Sequence, residues 1–126
     1  MNLASIRLVT KDLDSLVSFY TMLTGAAAAR LAPDFAEIRL EGAIVAISTE
    51  RAVRQFNVGA ATAAANRSAI LEFQVDDVDS VHTRLSDASV DCVMKPTDQP
   101  WGNRSMLLRD PDGNLINIFA RISRNA

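Results

Sequence analysis

Residues 4–23, ASIRLVTKDLDSLVSFYTML, and residues 69–88, AILEFQVDDVDSVHTRLSDA, share one plan. Each opens with an alternating apolar and polar run, turns at an acidic residue and continues with helical spacing. Asp12 and Asp77 fall at matching places, 65 residues apart. Each suits an N-cap, because its carboxylate can accept hydrogen bonds from the first-turn amides. Behind Asp12, residues Leu13, Leu16, Val17 and Tyr20 lie at i, i+3, i+4 and i+7; behind Asp77, Val78, Val81, His82 and Leu85 repeat that spacing. Gly25 suits the stop of the first helix.

Working outward, three short strand candidates follow each helix. In the first half they are about 26–32, 35–41 and 43–48; in the second, about 90–95, 103–109 and 114–121. The breaks are Pro33-Asp34, Glu41-Gly42, the segment Pro96 to Gly102, and the turn Asp110-Pro111-Asp112-Gly113-Asn114. Residues 49–67, TERAVRQFNVGAATAAANR, read as a linker with one helical turn near Arg51 to Phe56. The predicted class is α+β: two tandem βαβββ units forming a cupped mixed sheet with helices on its convex face. Unit 1 is about 1–48, the linker about 49–67 and unit 2 about 68–121, all within a single domain.

Composition narrows the function. A chain of 126 residues with 48% hydrophobic content is long enough for one real core. A formal net charge of −2, with no stripe of Lys and Arg, argues against a nucleic-acid partner. The apolar runs are too short to span a bilayer, so a soluble cytoplasmic protein is expected. Cys92 is the only cysteine, which leaves no intrachain disulfide and no Cys-rich metal site; it sits in a β-branched run that reads as a strand, and with no nearby base, helix start or cationic cluster a buried, inert thiol is expected. His82 is the only histidine, so a site needing two imidazoles cannot be built within one subunit.

The period of two assigns faces. The helix-packed side carries Ile6, Leu8, Leu71, Phe73, Ile116 and Ile118. The opposite, concave side carries Ser5, Arg7, Val9, Ile70, Glu72, Gln74, Asn117 and Phe119, with Ala46 and Ser48 from strand 43–48. Asn117 thus sits between two core isoleucines and points away from the core. His82, on a helix, lies on the other side of the sheet from Asn117.

The tandem βαβββ plan, VTKDLDSLVSFYTMLTG near the start and PTDQPWGNRSMLLRDPDGNLINIF near the end resemble the vicinal oxygen chelate superfamily. That family includes glyoxalase I, bleomycin-resistance proteins, fosfomycin-resistance enzymes and extradiol dioxygenases. Its metalloenzymes place His and Glu ligands on the concave face. The resemblance puts those positions on Ser5, Ala46, Ile70 and Asn117, none of which supplies an imidazole or a carboxylate. The resemblance also implies a homodimer whose clefts are completed by both subunits.

These readings favour a metal-free small-molecule binder of the glyoxalase/bleomycin resistance type, sequestering a drug or metabolite, with no cofactor. The ligand-binding candidates are Ser5, Arg7, Ile70, Glu72, Gln74, Trp101, Asn117 and Phe119. Arg7 and Glu72 are expected to pair across the cleft. Trp101 stacks on a flat ligand or seals its loop; Arg104 fixes the following turn through Asp110 or Asp112, and Phe56 and Asn57 either cover the cleft or belong to a flexible connector. The alternative is a non-classical isomerase or lyase with Glu72 as its catalytic acid or base, which requires a second titratable group nearby. A metal-dependent lyase or dioxygenase ranks below both.

Overall fold

The computed structural model describes residues 1–122. The chain forms two compact units, Met1–Ala65 and Asn66–Ala126. In the first, strand β1 (Ile6–Thr10) leads into helix α1 (Leu13–Thr24), followed by β2 (Ala28–Ala32), β3 (Phe35–Leu40), β4 (Ala43–Thr49) and the short helix α2 (Glu50–Arg54). In the second, β5 (Ile70–Gln74), α3 (Val78–Leu85), β6 (Asp91–Asp98), β7 (Asn103–Arg109) and β8 (Leu115–Arg121) repeat the plan. Each unit builds a four-stranded mixed sheet, in the orders β1-β4-β3-β2 and β5-β8-β7-β6. No helix among the described residues is long and apolar enough to cross a membrane.

The two acidic turns cap their helices alike. The Asp12 carboxylate accepts from the Ser15 amide at 3.1 Å, and Asp77 accepts from Ser80 at 3.1 Å. Gly25 ends α1 at φ 74, a left-handed conformation that a side chain would strain, and its N–H donates to the Thr21 carbonyl at 2.9 Å. Helix α1 buries Leu13, Leu16, Val17, Phe19, Tyr20 and Leu23, and it packs on β3 and β4. The sheet answers with Leu8, Ala36, Ile38, Val45 and Ile47, all on one face by register and all buried. In the second unit α3 buries Val78 and Leu85 against β6, β7 and β8, over a core of Met106, Leu108, Ile116, Ile118 and Ala120.

The Asp-Pro-Asp-Gly-Asn turn is built around one carboxylate. Asp110 is buried and accepts from the Asp112 and Asn114 amides at 2.9 Å each, and from Asn114 Nδ2 at 2.7 Å. A carboxylate with three donors is satisfied without a cation, so the turn does not need Arg104. That arginine instead grips Asp79 of α3, through Nε at 2.7 Å and Nη2 at 2.9 Å, and Asp98 of β6 at 2.9 Å. The expected contact from Arg104 to the turn is therefore corrected to a clamp between helix and hairpin.

This clamp makes a pH prediction. The Arg104 hydrogen bonds hold the Asp79 carboxyl below its ordinary value of 3.8, and Arg51 does the same for Asp34. A carboxyl whose pKa is depressed by folding adds stability above its unfolded value, which is lost as pH falls through the folded value. The urea midpoint is expected to hold between about pH 7 and pH 5 and to fall below about pH 4. Both pairs are exposed, so the effect is small. Arg104→Gln should flatten part of the acid limb; an acid limb identical to that of the parent would show that the clamp contributes nothing.

Two further expectations change. Strand β6 runs through Pro96 to Asp98, although the proline had marked a break. A proline survives because β6 is an edge strand and its pairing is irregular between Met94 and Thr97, where no ladder amide is needed. The same edge leaves Cys92 exposed rather than buried, beside an exposed Val93, with the pairing shifted between Cys92 and Met94. The linker folds in part: Thr49 caps α2 by accepting from Ala52 at 3.1 Å, Val53 is buried, and the Ala63 amide donates to Glu50 at 2.7 Å.

Candidate functional site

Strand register sets the side chains of each open face, the one turned away from the helices. In the second sheet, β5 and β8 run parallel with Ile70 beside Leu115, Glu72 beside Asn117 and Gln74 beside Phe119. Across β8, Asn117 meets Leu107 and Phe119 meets Ser105. Paired residues on one face bring their side chains together. The Asn117 amide Nδ2 donates to Glu72 Oε2 at 2.9 Å. A carboxylate accepts only, so the amide turns its NH2 group toward it. This leaves the other amide atom, Asn117 Oδ1, buried with no hydrogen-bond partner. Glu72 Oε1 also accepts nothing from the described residues.

The centre of this face therefore carries one exposed carboxylate oxygen, Glu72 Oε1, and beside it one buried amide oxygen without a donor, Asn117 Oδ1, with Gln74 and Ile70 on either side along β5. Glu72, Gln74, Asn117 and Phe119 stand together as two adjacent pairs. Ile70 is one pair further along and 51% exposed. Trp101 lies on the connection between β6 and β7, 71% exposed, which rules out the reading in which it seals its loop.

In the first sheet Arg7 stands beside Ala46, which stands beside Glu37; Val9, Ser48 and Phe35 form the next row. Ser5 lies one residue before β1, half-buried and outside the ladder. Glu37 is held by Arg39, through Nε at 3.1 Å and Nη2 at 2.9 Å, and Arg7 has no ion-pair partner among the described residues. Within the second sheet the Glu72 carboxylate is held by its neighbour Asn117. Phe56 is 83% exposed and Asn57 is exposed, so neither side chain is packed down as a cover.

Ser48 is wholly buried and its Oγ has no partner. An unmet buried hydroxyl costs about 1–3 kcal/mol. Ser48→Ala is expected to leave stability unchanged or raise it by about 1 kcal/mol, read from the urea midpoint. A clear loss would mean that the hydroxyl is hydrogen-bonded in solution.

The donor set does not fit a catalytic divalent ion. Among the described residues no three His, Cys, Asp or Glu side chains cluster closely enough to hold a metal. Asn117 brings one neutral oxygen and Glu72 one carboxylate, short of the donors that such ions take. His82 sits half-buried on α3, on the helical side of the same sheet.

Two βαβββ units, each with its helix on one face of a mixed sheet and polar groups on the other, define the glyoxalase type of fold. The chain belongs to the Glyoxalase/Bleomycin resistance protein/Dioxygenase superfamily, whose family model matches residues 2–118. It is similar to a glyoxalase/bleomycin resistance protein/dioxygenase from Nocardioides, with TM-score 0.80 and 24% identity over 99% of this chain and 86% of that one. It is also similar to a family enzyme from Burkholderia phytofirmans PsJN, with TM-score 0.85 and 18% identity over 97% of this chain and all of that one. At such identities the likeness is one of fold. The uncharacterized protein YraH of Bacillus subtilis (strain 168) is 43% identical over 51 residues, a match spanning 40% of each chain.

Proposed function

We propose that this chain is a small-molecule-binding member of the superfamily that works without the family's divalent ion and sequesters its ligand. The open face of the second sheet is the binding surface. The observation that carries the reading is the pair Glu72–Asn117, with its two acceptor oxygens, where the resemblance placed a metal ligand. Two neighbouring acceptors suit a ligand with two neighbouring donors: a vicinal diol, a protonated amine or an amidine. Phe119 and Gln74 offer an apolar surface and a further amide beside them, and the exposed Trp101 ring offers a flat platform. Arg7 on β1, with Ser5 just before that strand, supplies a second polar surface.

The enzyme alternative needs a second titratable group beside Glu72. Its neighbours on this face are Asn117 and, across β8, Leu107, neither of which titrates. That favours binding over acid/base chemistry. A homodimer, as the resemblance implies, is part of the proposal.

The test is elemental analysis of protein purified without chelator, together with native mass spectrometry. Metal far below one per chain and a co-purifying organic mass would support the reading. A stoichiometric Zn, Ni, Mn or Fe would sink it and return a metal-dependent lyase or dioxygenase to first place.

A further inference from the structure

The first unit contains a depression of about 340 Å³ at the carboxyl ends of the parallel strands β1 and β4. Its lining residues are all of polar or charged type: Thr10 and Thr49, which are partners in the ladder, with Lys11, Glu50, Arg51 and Arg54. It lies at the strand ends, and none of these residues belongs to the Glu72–Asn117 face.

Its charges are unevenly committed. Arg51 is fixed by Asp34, to which it donates through Nε at 3.0 Å and through Nη2. Glu50 Oε1 is taken by the Ala63 amide at 2.7 Å, and Oε2 stands 3.8 Å from Arg54 Nη1. Lys11 has no hydrogen-bond or ion-pair partner among the described residues. Three cations thus face two carboxylates, both engaged, in a chain whose formal net charge is −2.

The internal repeat serves as a control. The second unit makes the same strand-to-helix turn, with Asp77 capping α3 as Asp12 caps α1, but carries Val75 and Asp76 where the first has Thr10 and Lys11. The fold therefore does not require a cation or a hydroxyl at these positions.

We propose that this depression binds the phosphate group of a small phosphorylated molecule, gripped by Lys11 and Arg54, with Arg51 held at its side by Asp34. A point-charge ammonium and a forked guanidinium suit the several oxygens of a phosphate. The volume is at the small end of ligand sites, which run from about 300 to 1,000 Å³, and it leaves room for a short organic body beside the phosphate. A recessed floor between strand ends suits a soluble ester rather than a bilayer headgroup.

The test uses the full 15N-labelled chain titrated with inorganic phosphate, glycerol 3-phosphate and glycerol, with the amides of Thr10, Lys11 and Arg51 to Arg54 as reporters. Saturable shifts with both phosphates, tighter for the ester, and none with glycerol are expected. Lys11→Gln with Arg54→Gln should weaken binding about tenfold or more, whereas Lys95→Gln, which removes an exposed cation from β6, should leave it unchanged. Lys11→Arg, which keeps the charge, should retain most of the affinity. Absence of saturable shifts, or an equal loss in Lys95→Gln, would overturn the proposal. So would binding to phosphatidic acid vesicles in phosphatidylcholine without binding to glycerol 3-phosphate.

Discussion

Ile118→Ala is expected to lower the free energy of unfolding by about 2–5 kcal/mol, whereas Asn117→Val, one residue away, leaves it unchanged or raises it by about 1 kcal/mol. Ile118 is 1% exposed and stands between Phe73 and Met106 on the helix-packed face of the second sheet. Truncating it removes buried methyl groups and leaves a cavity that Ile116 and Leu108 cannot close without strain. Asn117 sits on the opposite face with a buried acceptor that no donor meets. Its replacement by a β-branched apolar residue removes that cost, and the exposed Glu72 carboxylate is left to water. Urea unfolding followed by far-UV circular dichroism measures both. Two losses of similar size would show that strand β8 does not divide its faces as described, because a one-residue slip exchanges them.

The second large effect falls on binding. For a ligand found by native mass spectrometry, or for members of a panel of vicinal diols, amines and amidines detected by ligand-observed NMR, Glu72→Gln should weaken binding about tenfold or more. The substitution keeps the shape but trades a charged acceptor for an amide, weakening a charge-assisted hydrogen bond. Asn117→Val should weaken binding as well while leaving stability intact, a combination that a merely structural residue would not produce. Gln74→Ala should cost less, because its amide lies one pair along the strand from the two acceptors. Undiminished affinity in both Glu72→Gln and Asn117→Val would remove the second sheet's open face from the proposed function.

The Glu72–Asn117 contact also bears on the family resemblance. In a metalloenzyme of this fold, the carried-over position at Asn117 would hold a ligand. Here the amide spends its donor end on the neighbouring carboxylate, and its acceptor end is left for a donor. One carboxylate and one neutral amide oxygen are fewer protein ligands than the three that a catalytic zinc site takes, and neither is an imidazole.

Much of the architecture was legible because it is written locally. The aspartates at 12 and 77 announce their helices through amides three residues away, Gly25 announces its stop through its own φ, and the alternation in β8 separates Ile116 and Ile118 from Asn117 with no knowledge of neighbouring strands. The repeat at 65 residues doubled each of these signals. What the sequence left undecided depended on which strands became neighbours. The segment Pro96 to Gly102 reads as a break from its own residues, yet β6 is an edge strand and takes in Pro96. Cys92, on a strand with no activating group in sight, reads as a buried thiol, yet that same edge leaves it exposed. Arg104 had acidic candidates in the nearby turn, but Asp110 was already satisfied by backbone amides, and Asp79, 25 positions away, was brought within reach by α3. Glu72 and Asn117, 45 positions apart, meet because parallel register sets them side by side. Helix caps and sheet faces follow from forces acting within a few residues; edges, ion-pair partners and hydrogen-bond partners follow from strand order and register, which only the folded chain decides.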